Sequence, residues 1–141
     1  MNSELGPFSY DTVAGMLVEW GGAQRLGTLL SEWFEQRKLL IVTDRFLHQS
    51  GLLDPTKASL QSAGFEITIF DDVVADPPED VMIACATMAK DAGSDMVMGF
   101  GGGSSMDVAK LAAVMISSDQ SLADMYGIGK VTGARVPLVQ V

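Results

Sequence analysis

Basic side chains and strong metal ligands are scarce in this chain of 141 residues. Nine Lys and Arg stand against eighteen Asp and Glu, for a formal net charge of −9. A surface of that sign repels a phosphate backbone and argues against nucleic acid as a partner. There is one cysteine, Cys85, which excludes an internal disulfide and fits a reducing compartment. The only histidine is His48. A lone histidine cannot build the multi-ligand transition-metal site of a hydrolase or dehydrogenase, so no metal ligands are assigned in this chain. No apolar run is long enough to span a bilayer, and no secretory h-region follows Met1. A soluble cytoplasmic protein without membrane contact is the expectation. What the chain does have is a globular balance, with 48% hydrophobic and 19% charged residues, enough for one domain with a single core.

The hydrophobic pattern predicts strands alternating with helices. Residues 8–19 alternate loosely and suggest one or two short strands at a sheet edge. A helical stretch over 23–36 carries Leu26, Leu29, Leu30 and Trp33 on one face. Lys38 to Val42 is an almost wholly apolar run, as expected of a strand buried on both faces. Asp54-Pro55 reads as an N-cap followed by proline at the first helical position, with Gly64 closing that helix. A strand over 66–70, a helix over 79–91 and a strand over 96–100 follow. A helix over 104–117, a short helical piece over 122–126 and an apolar segment over 136–141 complete the chain. This rhythm predicts an α/β fold: a Rossmann-like, doubly wound, mainly parallel sheet with helices on both faces. The chain ends on a strand-like segment rather than a polar linker, which predicts a fragment of a longer protein.

In such sheets ligands gather at the carboxyl ends of the strands, where Thr43-Asp44, Asp71 to Pro78 and Gly101-Gly102-Gly103 all fall. The three glycines lead into Ser104-Ser105-Met106-Asp107-Val108-Ala109-Lys110. A strand, a glycine turn and a helix N-terminus make an anion site, because the backbone approaches a phosphate closely and unpaired N–H groups point at it. The run is neither G-x-G-x-x-G nor a Walker loop. Ser104 and Asp107 have the spacing of a capping box; the alternative has Ser104 and Ser105 donating to a pyrophosphate while Asp107 orients the loop. Lys110 shares a helical face with Asp107 and is either its ion-pair partner or a charge directed at the ligand. Asp44 reads equally as a ribose acceptor that disfavours NADP or as a turn-forming aspartate. Asp76-Pro77 reads first as turn chemistry. Cys85 lies mid-helix and reads as a core residue, and no nucleophile–base pair is recognisable.

Gly101 to Lys110 resembles the signature of the iron-containing (group III) alcohol dehydrogenases. Leu40-Ile41-Val42-Thr43-Asp44, Gly51-Leu52-Leu53-Asp54, Phe70-Asp71-Asp72-Val73, Asp76-Pro77 and Val136-Pro137-Leu138-Val139 support it in order. The resemblance runs from about Gly21 onward. It implies that residues 1–141 are the N-terminal NAD(P)-binding domain, without the C-terminal helical domain that holds a divalent metal, iron or zinc. The implied reaction is reversible hydride transfer between a small alcohol or aldehyde and NAD(P), with this chain alone catalytically incomplete. On that basis Asp44 would hold the adenosine ribose and favour NAD over NADP. Gly102, Gly103, Ser104 and Ser105 would surround the pyrophosphate, and Asp107 and Lys110 would sit towards the nicotinamide. Asp76 stands where the family usually has asparagine, which weakens that cofactor contact. A homodimer is compatible with the family. Maleylacetate reductase, glycerol dehydrogenase, a dehydroquinate synthase relative and a stand-alone nucleotide-binding module are the alternatives.

Overall fold

A computed structural model describes residues 12–141. Four apolar runs form strands: β1 (Lys38–Val42), β2 (Glu66–Phe70), β3 (Met96–Gly99) and β4 (Leu138–Gln140). They pair in the order β2-β1-β3-β4, all parallel, with Leu40 opposite Thr68 on one side and Val97 on the other. The chain steps outward from β1 to β2, then returns across β1 to β3 and β4. Right-handed crossovers in opposite directions place their helices on opposite faces of the sheet.

Side-chain alternation along the strands matches that arrangement. Leu39, Ile41, Met96 and Met98 face a layer made by α1 (Leu26–Trp33) and α3 (Asp54–Ser62), through Leu26, Leu30 and Leu60. Leu40, Val42 and Val97 face α4 (Glu79–Asp91) and α5 (Gly103–Ser117), through Cys85, Ala89, Val108 and Ala112. The doubly wound α/β fold expected from the sequence is the fold observed.

Several local expectations need correction. No strand occurs in residues 12–19, and residues 8–11 lie outside the described part. The stretch over 23–36 divides into a 3-10 turn (Gly22–Arg25) and α1, which stops at Trp33. Trp33 is 55% exposed, so the buried stripe is Leu26, Leu29 and Leu30. Asp54 is the first helical residue of α3 rather than its cap, and Leu53 takes the cap position without a side-chain hydrogen bond. A five-residue helix, α2 (Arg45–Gln49), adds to the elements expected from the sequence; Asp44 caps it.

Cys85 is fully buried against the sheet, and burial pushes its thiol up from an ordinary 9.0 to about 12. The folded state therefore holds this proton more tightly than the unfolded chain. Its contribution to stability is complete below pH 9 and is lost as the pH rises towards 12. Urea midpoints should fall across that window in the native chain and fall less in Cys85→Ala.

Candidate functional site

The strand order reverses between β1 and β3, which opens a crevice at their carboxyl ends. A cleft of about 320 Å³ lies there, lined by Asp44, Val73, Val74, Ala75, Gly102, Gly103, Ser104 and Ser105. Asp44, Gly102, Gly103, Ser104 and Ser105, drawn from two segments far apart in sequence, thus share one cavity. Of the loop wall, Val73 belongs to the Phe70 to Val73 motif, while Val74 and Ala75 carry no signal in the sequence beyond their place just after β2. A larger open groove of about 450 Å³ between α1 and α3 has no charged lining residue and no strand end, so it offers little chemistry.

The α5 N-terminus forms one side of the cleft. Gly102 occupies its cap position and has no side chain to offer, and among the described residues no other side chain caps the helix. The amides of Gly103, Ser104 and Ser105 therefore lack intrahelical acceptors and side-chain acceptors alike. Among the described residues, no basic side chain lines the cavity. The positive potential on offer to an anion is that of these N–H groups and of the N-terminal end of a 15-residue helix.

The three glycines have different reasons to be glycine. Gly101 has φ +134°, and a Cβ there would stand 2.8 Å from Leu47 Cδ1 of α2. Fold geometry alone requires it. At Gly102 and Gly103 neither φ is positive, and an added Cβ would meet nothing within 4 Å. Nothing in the described protein demands glycine at these two positions. They leave open backbone beside the cavity.

The helix start also overturns the capping-box reading. Ser104 is the second residue of α5, not its cap, and Asp107 lies a turn further in. Asp107 accepts from Lys110 Nζ at 3.0 Å, and both side chains are exposed. Neither lines the cleft. Ser105 is buried and Ser104 half-buried.

Asp44 caps a helix and lines the cleft. Its Oδ1 accepts from the Leu47 N–H at 2.9 Å, which caps α2, while the residue lines the cleft. Oδ2 is the carboxylate oxygen that the cap does not use. Asp44 also forms an antiparallel bridge with Asp72 in the loop after β2. His48 Nδ1 lies 2.7 Å from Asp71 Oδ2, and Arg45 pairs with Asp72. Asp76 is exposed at φ +47°, the only non-glycine among the described residues with positive φ, and it does not line the cavity. Aspartate tolerates that backbone region better than most residues, in keeping with turn chemistry.

The Thr43 hydroxyl, fully buried at the end of β1, has no hydrogen-bond partner among the described residues. Gln140 Nε2 donates to the Met106 carbonyl at 3.2 Å and ties β4 to the first turn of α5. Among the described residues, no three His, Cys, Asp or Glu side chains converge to hold a metal ion. No described helix is long and apolar enough to cross a membrane.

Comparison with known proteins agrees with this architecture. The family profile described as iron-containing alcohol dehydrogenase matches residues 14–141. Long-chain-alcohol dehydrogenase 1 of Geobacillus thermodenitrificans is 35% identical over 118 residues, covering 84% of this chain and 29% of that protein. The NAD-dependent methanol dehydrogenase of Bacillus methanolicus is 31% identical over 121 residues, covering 86% of this chain and 32% of that protein. Among solved structures, a 1,3-propanediol oxidoreductase superposes with TM-score 0.78 at 27% identity, covering 85% of this chain and 31% of its own. Sulfoacetaldehyde reductase from Bifidobacterium kashiwanohense, solved in complex with NAD+, gives 0.74 at 27% identity, covering 89% of this chain and 36% of its own. The chain thus spans roughly a third of the length of these relatives. By family match, sequence identity and fold together, it belongs to the iron-containing alcohol dehydrogenases.

Proposed function

We propose that this chain is the dinucleotide-binding portion of an NAD-dependent alcohol dehydrogenase, which transfers hydride between a small alcohol or aldehyde and the cofactor. The observation that carries this reading is the glycine pair at the α5 N-terminus. Gly102 and Gly103 are required by neither backbone conformation nor packing, yet they border uncapped amides at a strand-order switch. A pyrophosphate resting on the Gly103, Ser104 and Ser105 amides accounts for both features. Asp44 Oδ2 then accepts from the adenosine ribose hydroxyls. A carboxylate there repels the additional phosphate of NADP, which favours NAD. The naming of one relative as NAD-dependent and the NAD+ complex of another support the same assignment.

The nicotinamide, when bound, supplies the hydride chemistry; this chain's residues bind and orient the cofactor. The divalent metal implied by the family finds no donor set among the described residues, so no step is assigned to it here. Asp107 and Lys110, one turn into α5, remain proposed as contributors at the nicotinamide side. Asp76 has the weakest case for cofactor contact, being exposed and outside the cleft lining.

NADH fluorescence titrated with the folded chain should show saturable binding that pyrophosphate displaces. No response at millimolar NADH from a folded sample would contradict the proposal.

A further inference from the structure

The two basic side chains of α2, the helix that Asp44 caps, both reach the loop after β2. His48 faces Asp71, and Arg45 pairs with Asp72. Asp72 also meets Asp44 through their backbone bridge, and Arg45 follows Asp44 in the chain, so the ion pair stands at the strand end that carries the cleft-lining Asp44. Asp44, Asp71 and Asp72 together outweigh the Arg45 charge, leaving the neighbourhood negative. Both partners of the Arg45–Asp72 pair are more than half exposed, and a pair that exposed contributes little to stability. Its position beside the cleft is thus more informative than its strength. A guanidinium at this place is the group that would fork onto a ribose phosphate if it were free to turn.

Building on the dinucleotide reading above, we propose that Asp72 is a cofactor-selecting residue. It engages Arg45 and so denies NADP the guanidinium of the residue that follows Asp44. Asp44 supplies the repulsion, and the Arg45–Asp72 pair withholds the attraction. Discrimination against NADP is therefore shared between two strand ends, with Asp72 acting as a positioning residue that need not touch the cofactor.

Calorimetric titration of NADH and NADPH into the native chain, Asp72→Asn, Arg45→Ala and the double variant tests this directly. Asp72→Asn should tighten NADPH by up to about fivefold, the most that release of so exposed an ion pair returns, and leave NADH within about twofold. Arg45→Ala in the Asp72→Asn background should abolish the gain, which general loss of negative charge would not explain. Asp72→Ser serves as a second variant if the asparagine variant folds poorly by circular dichroism. NADH binding with unchanged NADPH affinity in Asp72→Asn or Asp72→Ser would overturn the proposal. So would equal gains for both cofactors, or a gain that survives loss of Arg45. Failure of the native chain to bind NADH would instead overturn the dinucleotide reading, and this inference with it.

Discussion

Gly103→Ala should weaken NADH binding by about tenfold or more while leaving the fold intact. An added methyl at Gly103 meets no protein atom within 4 Å and asks for no unusual φ, so the folded state has no reason to resist it. Alanine also forms helix more readily than glycine, and the variant should gain up to about 0.5 kcal/mol in urea denaturation. The methyl would instead occupy the space through which a phosphate reaches the Gly103 amide. Displacing the anion by even a fraction of an ångström lengthens several charge-assisted hydrogen bonds at once. Gly103→Val should extend the loss to about a hundredfold, because its branched side chain reaches further over the same amides. Stability and affinity moving in opposite directions is the diagnostic result. Unchanged NADH affinity in Gly103→Ala would mean that the backbone there is not the anion contact.

Gly27→Ala should do the reverse, costing stability far from the cleft. Gly27 is buried near the start of α1, where its N–H donates to Ser59 Oγ at 3.0 Å across the crossing with α3. A Cβ at this point would fall inside the Ser59 backbone carbonyl and stand 3.0 Å from Ala63 Cβ. Backbone cannot rotate aside as a side-chain tip can, so α1 and α3 would have to separate. That separation loosens Leu26, Leu30 and Leu60, which cover one face of the sheet. The expected cost is about 3 kcal/mol, at the upper end for an inserted methyl group. For a chain of this size that lowers the melting temperature by about 10 °C. A melting temperature within about 2 °C of the native chain would show that the two helices are not packed as described.

The elements with strong local punctuation were legible in the sequence. Helix α4 was read to its observed ends because Pro78 precedes it and Gly93 follows closely. The strands were legible because Lys38 to Val42 and Met96 to Gly99 are apolar without helical periodicity. Helix α2 was missed because five residues are too few to show a period, and its cap, Asp44, also terminates a strand. Trp33 fits the helical stripe by hydrophobicity, yet α1 stops there and leaves the indole exposed.

The candidate site divides along the same line. Glycines and serines at a strand–helix junction are a local signal, and so is an aspartate at a strand end. The start of α5 is finer than that signal: Gly102 takes the cap position, and Ser104 moves inside the helix. Pairing of Arg45 with Asp72 depends on the β1–β2 register, which sets Val42 beside Phe70 and brings the two following loops together. Sequence spacing carries no trace of that register. The differing reasons for the three glycines also emerge only once neighbouring atoms are placed around each of them.

The uncapped amides at the start of α5 are proposed to hold the cofactor's pyrophosphate. Nitrogen-15 chemical-shift mapping of the folded chain during titration with NADH tests it most directly. The amides of Gly103, Ser104 and Ser105 should move furthest and saturate together, with Asp44 following. Saturable NADH binding that leaves those three amides in place, or shifts centred on the groove between α1 and α3, would contradict it.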